Sequence, residues 1–232
     1  ISVSSVFIYP RGIKGLITIS FLCCMEKYLQ SVDSTFQIYD FFDMYAGTSI
    51  GSMMVTFMLK NKYSAERLKK IFCDKTCHTI MDKSIWDKML GIAQIDPKYD
   101  GKGKKEIIHK YLDDHEFSNF EKHVIVPVYN ITKRRTEVMY SKTANPYILT
   151  KDIVNASSAA PCYFPCVQIK NSHRKNEYFC DDWFIDGGMT SNNPTMCAMA
   201  EAKNHFIKSK YKNKKVVVVN IGTGFKTKTI DG

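Results

Sequence analysis

MYAGTSIGSMM, Met44 to Met54, sets two glycines around a serine: Gly47-Thr48-Ser49-Ile50-Gly51. Five residues of the form G-x-S-x-G occur in many Gly/Ser loops, so the flanks decide. YDFFDMYAG (Tyr39–Gly47) leads in as a predicted short strand, and IGSMMVTFML (Ile50–Leu59) leads out as a predicted apolar helix. A serine between such elements sits on a sharp turn, where Gly47 and Gly51 must lack side chains for strand and helix to approach. The helix start then offers unpaired N–H groups, Ile50 first, and positive potential for an oxyanion. The competing reading is a Gly/Ser turn that opens a helix and holds a phosphate.

Working outward, VSSVFI (Val3–Ile8) reads as a strand and GIKGLITISFLCCMEKYLQ as a helix. SAERLKKIFC is an amphipathic helix with Ser64 as N-cap, and GKGKKEIIHKYLDD is another. HVIVPVYNIT and TEVMYSKT are adjacent strands joined by the basic turn Lys133–Arg135. KDIVNASSAAP is a short helix stopped by Pro161, and EYFCDDWFIDGG is a strand ending in a glycine turn. NNPTMCAMAEAKNHFIK is a helix capped by Asn192 or Asn193, with Pro194 in its first turn. KKVVVVNIGTG, an unbroken β-branched run, is predicted to be a central strand buried on both faces. Strands alternating with helices predict an α/β fold, a three-layer sandwich with a mainly parallel central sheet. No repeat or linker divides residues 1–232, which predicts a single domain; the start at Ile1 and the stop soon after NIGTG predict that it is incomplete at both ends.

Composition narrows the partners. A hydrophobic content of 44% and a charged content of 24% are those of an ordinary globular chain. The net charge of +10 is not ordinary and favours polyanions, either nucleic acid or an anionic bilayer surface. The runs Lys102–Lys105, Lys133–Arg135 and Lys208–Lys215 read as solvated faces. No Walker lysine pattern or dinucleotide glycine fingerprint supports nucleotide binding. The longest uncharged run, Met44–Leu59, falls short of the roughly 20 residues that span a bilayer. Eight cysteines lack the spacing of a disulfide scaffold; Cys73 and Cys77 beside His78, and Cys162 and Cys166, read as buried or free thiols rather than zinc ligands. A reducing, cytoplasmic compartment follows.

A serine nucleophile needs a base. Of six histidines, only His205 comes late in the chain, and it falls within a predicted helix; His78, His109, His115, His123 and His173 sit in polar or amphipathic surroundings. The alternative base is Asp186 in FIDGGMTSNNP, delivered to a strand end, with Gly187 and Gly188 letting the backbone turn tightly beside it. An aspartate serves as a base only if partial burial raises its proton affinity, which Trp183 and Phe184 favour. Read alone, the same residues form an ordinary Asp-Gly turn.

GTSIGS, NASSAAPCYFP, FIDGGMTSNNP and VVNIGTG occur in an order and at separations that resemble the patatin-like phospholipase family, from about Arg11 to Gly224. The resemblance implies that Ser49 is the nucleophile and Asp186 the general base of a dyad without histidine. It also implies an oxyanion hole that includes Gly12 beside Ile50, and chemistry that needs no metal or cofactor. The implied activity is hydrolysis of acyl esters of phospholipids and related lipids, by a protein settling on anionic membrane from the cytoplasm. The pattern departs at the first loop. There the family's Asp-Gly-Gly-Gly-x-Arg-Gly is matched by Tyr9-Pro10-Arg11-Gly12-Ile13-Lys14-Gly15, and Pro10 has no N–H to donate. A second reading therefore stands beside the first: a lipid- or membrane-binding relative without a working oxyanion hole.

Overall fold

A computed structural model of the chain describes residues 3–9 as backbone, and 15–73, 80, 97–144, 147–169, 182–204 and 216–222 in full. Among the described residues the sheet has seven strands: β1 (Val3–Tyr9), β2 (Met44–Gly47), β3 (His123–Asn130), β4 (Arg135–Tyr140), β5 (Val167–Ile169), β6 (Asp182–Asp186) and β7 (Val216–Gly222). Strands β7, β1, β2 and β3 run parallel, side by side in that order. Strands β4 and β6 pair antiparallel with β3, and β5 with β6.

Alternation along the strands builds the three layers. On β2, Tyr45 joins the larger apolar cluster, while Met44 and Ala46 join a smaller one on the opposite face. On β3, Val124, Val126 and Val128 take the first face and Ile125 the second, as the two-residue period of a strand requires. The larger cluster is filled by α1 (Gly15–Val32), α3 (Ile50–Asn61), α4 (Ala65–Ile71), α5 (Lys102–Leu112) and α6 (Thr150–Ser157). Ala198 and Ala202 of α8 (Thr195–Ala202) cover the other face. Short helices α2 (Ile38–Phe41) and α7 (Gly188–Ser191) and a single 3-10 turn at Phe117–Asn119 complete the described elements. In α3 every residue from Ile50 to Met58 is buried, so the helix that follows the serine turn is the central pillar of its layer.

Buried Glu26 of α1 ties helices together. One carboxylate oxygen accepts the Ile38 N–H at 3.0 Å, the other the Ala65 N–H at 2.8 Å. Each is the first N–H of a helix, which has no partner within its own helix. Ser64 also accepts the Arg67 N–H, the N-cap expected at α4.

Four local expectations change. The Tyr39–Gly47 segment is a strand only from Met44; Ile38–Phe41 is a helical turn, held by the Tyr45 hydroxyl, which donates to Ile38 O and accepts from Phe42 N–H. Helix α6 ends at Ser157, ahead of Pro161. Helix α8 begins at Thr195 with Pro194 as its cap residue; Asn193 Oδ1 receives the Thr195 N–H. Strand β7 is not central. Among the described residues it pairs with β1 alone, and Val217 is 47% exposed. A β-branched run reports strand propensity, and strand order is set by pairing elsewhere in the chain. Residues 177–181 of the predicted EYFCDDWFIDGG strand, the His205 end of the predicted NNPTMCAMAEAKNHFIK helix and the Lys208–Lys215 run lie outside the described residues.

Candidate active site

The site forms where two strands meet end to end. Ile125 pairs with Tyr140 of β4 on one edge of β3 and with Ala46 of β2 on the other. Val128 likewise pairs with Glu137 of β4 and with Asp186 of β6. Strands β2 and β6 therefore share one edge of β3 and run toward each other along it. Their carboxyl ends, carrying Ser49 and Asp186, converge beside Pro127.

Ser49 follows β2 with φ 58° and ψ −127°, a backbone conformation that side-chain-bearing residues rarely adopt. The turn closes through Gly51 N–H to Thr48 O and Ser52 N–H to Ser49 O, both 2.9 Å. A Cβ on Gly47 would stand 2.4 Å from the Gly51 carbonyl oxygen, so the strand passes the helix start only without a side chain there. A Cβ on Gly187 would stand 2.1 Å from Pro127 O, which is how β6 comes close enough to end against β3.

The Ser49 hydroxyl donates to Asp186 Oδ2 at 2.6 Å. Asp186 is 5% exposed, and its other oxygen accepts the Gly188 N–H at 2.7 Å. Burial raises its carboxyl above the ordinary aspartate value of 3.8, against the opposing pull of the Ser49 hydroxyl, the Gly188 N–H and the Lys104 charge. That is the direction a carboxylate needs to act as a base. Of the described histidines His109, His115 and His123, the second contacts Thr150 and the third Tyr140, and none receives the Ser49 hydroxyl, which goes to Asp186.

The Ile50 N–H takes no hydrogen bond among the described residues and stands at the amino end of α3. Gly12, with Pro10, Arg11 and Lys14, lies outside the described residues, as do Cys77, His78, His173 and His205. The carboxyl end of β1 lies beside the elbow, since Ile8 pairs with Gly47.

Sequence reading missed two groups. Ser157 Oγ donates to Pro127 O at 2.8 Å and accepts the Ser49 N–H at 3.2 Å, holding the elbow to β3. Lys104, read as part of a solvated run, is 2% exposed, and its ammonium donates to Asn155 O and Ser158 O. Its spacing carried a signal: Lys104, Ile108 and Leu112 are the buried stripe of α5, at i, i+4 and i+8.

Fold and site together define an α/β protein that presents a serine on a strand–helix elbow directly against a buried carboxylate. The patatin-like phospholipase family model matches residues 11–199, and the chain belongs to that family. It is 28% identical over 214 residues to patatin-like protein 2 of Oryza sativa subsp. indica, covering 84% of this chain and 52% of the relative. It is also 28% identical over 230 residues to the cGAMP-activated phospholipase of Escherichia coli (strain TW11681), covering 91% and 59%. The chain thus spans little more than half the length of these relatives. VipD from Legionella pneumophila shares the fold, with a TM-score of 0.50 over 99% of this chain and 63% of VipD at 14% identity.

Proposed function

We propose that this chain is a serine lipid acyl hydrolase that works through a Ser49–Asp186 dyad and an acyl-enzyme. The observation that carries the reading is the 2.6 Å hydrogen bond from the Ser49 hydroxyl to the buried Asp186 carboxylate. As Ser49 Oγ attacks the acyl carbonyl carbon, its proton passes to Asp186. The carbonyl oxygen takes the negative charge, facing the Ile50 N–H and the positive end of α3, with Gly12 as the second donor. Collapse breaks the ester bond, and Asp186 returns the proton to the departing alcohol. Water then attacks the acyl-Ser49 ester by the same route and releases a fatty acid.

Membership of a phospholipase family supports a lipid substrate, and the net charge of +10 supports approach to an anionic membrane surface. Among the described residues no helix is long and apolar enough to cross a membrane. A second reading rests on Tyr9-Pro10-Arg11: with no N–H at Pro10, the protein binds lipid and turns it over slowly or not at all. Loss of one oxyanion donor costs about 10²–10³ in turnover.

A fluorophosphonate probe and a short-chain acyl ester separate the two. Labelling and turnover in the wild type, with turnover reduced at least about 10³-fold in both Ser49→Ala and Asp186→Asn, support the dyad. Lipid binding without labelling supports the second reading. Hydrolysis by both variants at the wild-type rate removes the site assignment.

A further inference from the structure

Lys104 is the most deeply buried cation described, and the Ser49–Asp186 pair does not contact it directly. Its ammonium lies 3.0 Å from Asn155 O, 3.1 Å from Ser158 O and 4.5 Å from the centre of the Phe164 ring. Asn155 and Ser158 belong to the last turn of α6, where carbonyls lose their helical partners and negative potential accumulates. The residues beside them hold the site. Ser157 accepts the Ser49 N–H at 3.2 Å, and Ala159 O accepts the Asp186 N–H at 3.0 Å. One turn of chain thus grips the backbone of both partners, and Lys104 is what fastens that turn.

We propose that Lys104 is a positioning residue for the Ser49–Asp186 pair: its ammonium locks the end of α6, which holds both partners. The inference rests on the dyad reading above. A lysine is otherwise expensive to bury, and an apolar residue in phase with Ile108 and Leu112 would pack the same stripe. Burial draws the Lys104 ammonium down to about 7, with Asp186 pulling it up and Lys105 pushing it further down. Reciprocally, the Lys104 charge lowers Asp186 against the effect of its burial. Charged groups on the packed elements are engaged elsewhere: Lys60 of α3 with Asp113, and Lys151 of α6 with Asp114. Asp152 of α6 faces the outer cleft that Lys105 also lines.

The test compares wild type, Lys104→Met, Lys104→Gln and Ser49→Ala on a short-chain acyl ester between pH 5 and 9. The Asp186 carboxyl is followed in parallel by ¹³C NMR, its signal identified with Asp186→Asn. Both Lys104 variants are expected to lose about 10–100-fold in kcat with little change in KM, because the pair is misplaced while the substrate surface is intact. Their Asp186 titration is expected to move to higher pH, which a purely structural lysine would not cause. Lys104 variants with wild-type kcat, or an unmoved Asp186 titration, overturn the proposal. Ser49→Ala inactive with Lys104→Met fully active removes Lys104 alone; Ser49→Ala active removes the dyad reading itself. Should neither Lys104 variant fold, or should the wild type hydrolyse nothing, wild-type NMR decides. The Asp186 signal must show a second inflection near pH 7 as Lys104 loses its proton, and its absence overturns the proposal.

Discussion

Ser49 holds φ 58° because the bonds around it leave the chain no alternative. Gly51 and Ser52 N–H groups close the turn, Ser157 takes the Ser49 N–H, and Thr48 Oγ1 donates to Ser191 O at 3.0 Å. Such a residue stores about 1–3 kcal/mol, supplied by the packing of α3. Asp186 carries a similar cost in another form. Its folded proton affinity is raised, so between pH 3.8 and its own higher value the folded protein keeps a proton that the unfolded chain releases. That contribution to stability is complete below pH 3.8 and is lost as pH rises through the raised value. Asp186→Asn is therefore expected to melt a few degrees above wild type at pH 7, while losing activity. Melting curves at pH 4 and pH 7 check this, and the gain should shrink at pH 4. An equal or lower melting temperature at pH 7 counts against a destabilising buried carboxylate. On the dyad reading, the acid limb of kcat/KM is expected above the ordinary aspartate range, which a pH–rate profile checks.

Strands β2 and β6 converge because the chain leaving β6 passes Pro127 at Gly187, which has no Cβ. Gly187→Ala places a methyl group 2.1 Å from Pro127 O, on backbone that has no slack. The expected loss is about 3 kcal/mol or more, among the larger single-residue effects. Urea unfolding measures it, and a change under about 1 kcal/mol would mean that β6 has room to shift. Elsewhere, Glu26 joins two helices to α1 through N–H groups that have no other role. Glu26→Ala strands both in the interior and is expected to cost about 2–4 kcal/mol, at each buried N–H about 1–3. Because Glu26 is remote in sequence from the elbow, fluorophosphonate labelling of the folded variant should persist, which separates a stability effect from a chemical one.

The whole molecule carries ten more positive than negative charges, in runs spread along the chain. A chain of this charge is expected to sediment with vesicles containing phosphatidylserine and to release in about 0.5 M salt, where charges are screened within a few ångströms. Phosphatidylcholine vesicles should retain much less. Equal retention on both lipids, unchanged by salt, would place the attraction in apolar contact, for which exposed Met189, beside the glycine turn after Asp186, is the first candidate.

Much of this protein was legible in the order of its residues. Helix periodicity marked α1, α4 and α5 because a helix buries one face whatever it packs against, and an unbroken apolar run marked α3. The G-x-S-x-G elbow was readable because its glycines answer a steric demand within five residues. The patatin-like family could be read because four short motifs keep their order. Tertiary structure decided what depends on neighbours remote in sequence. The 2.6 Å approach of Ser49 to Asp186 comes from two strands running toward each other on one edge of β3. The valines of β7 promised a centre and occupy an edge, since propensity is local and strand order is not. Lys104 sat unseen in a basic run, because a charge is judged solvated or buried only once the helix beside it is in place.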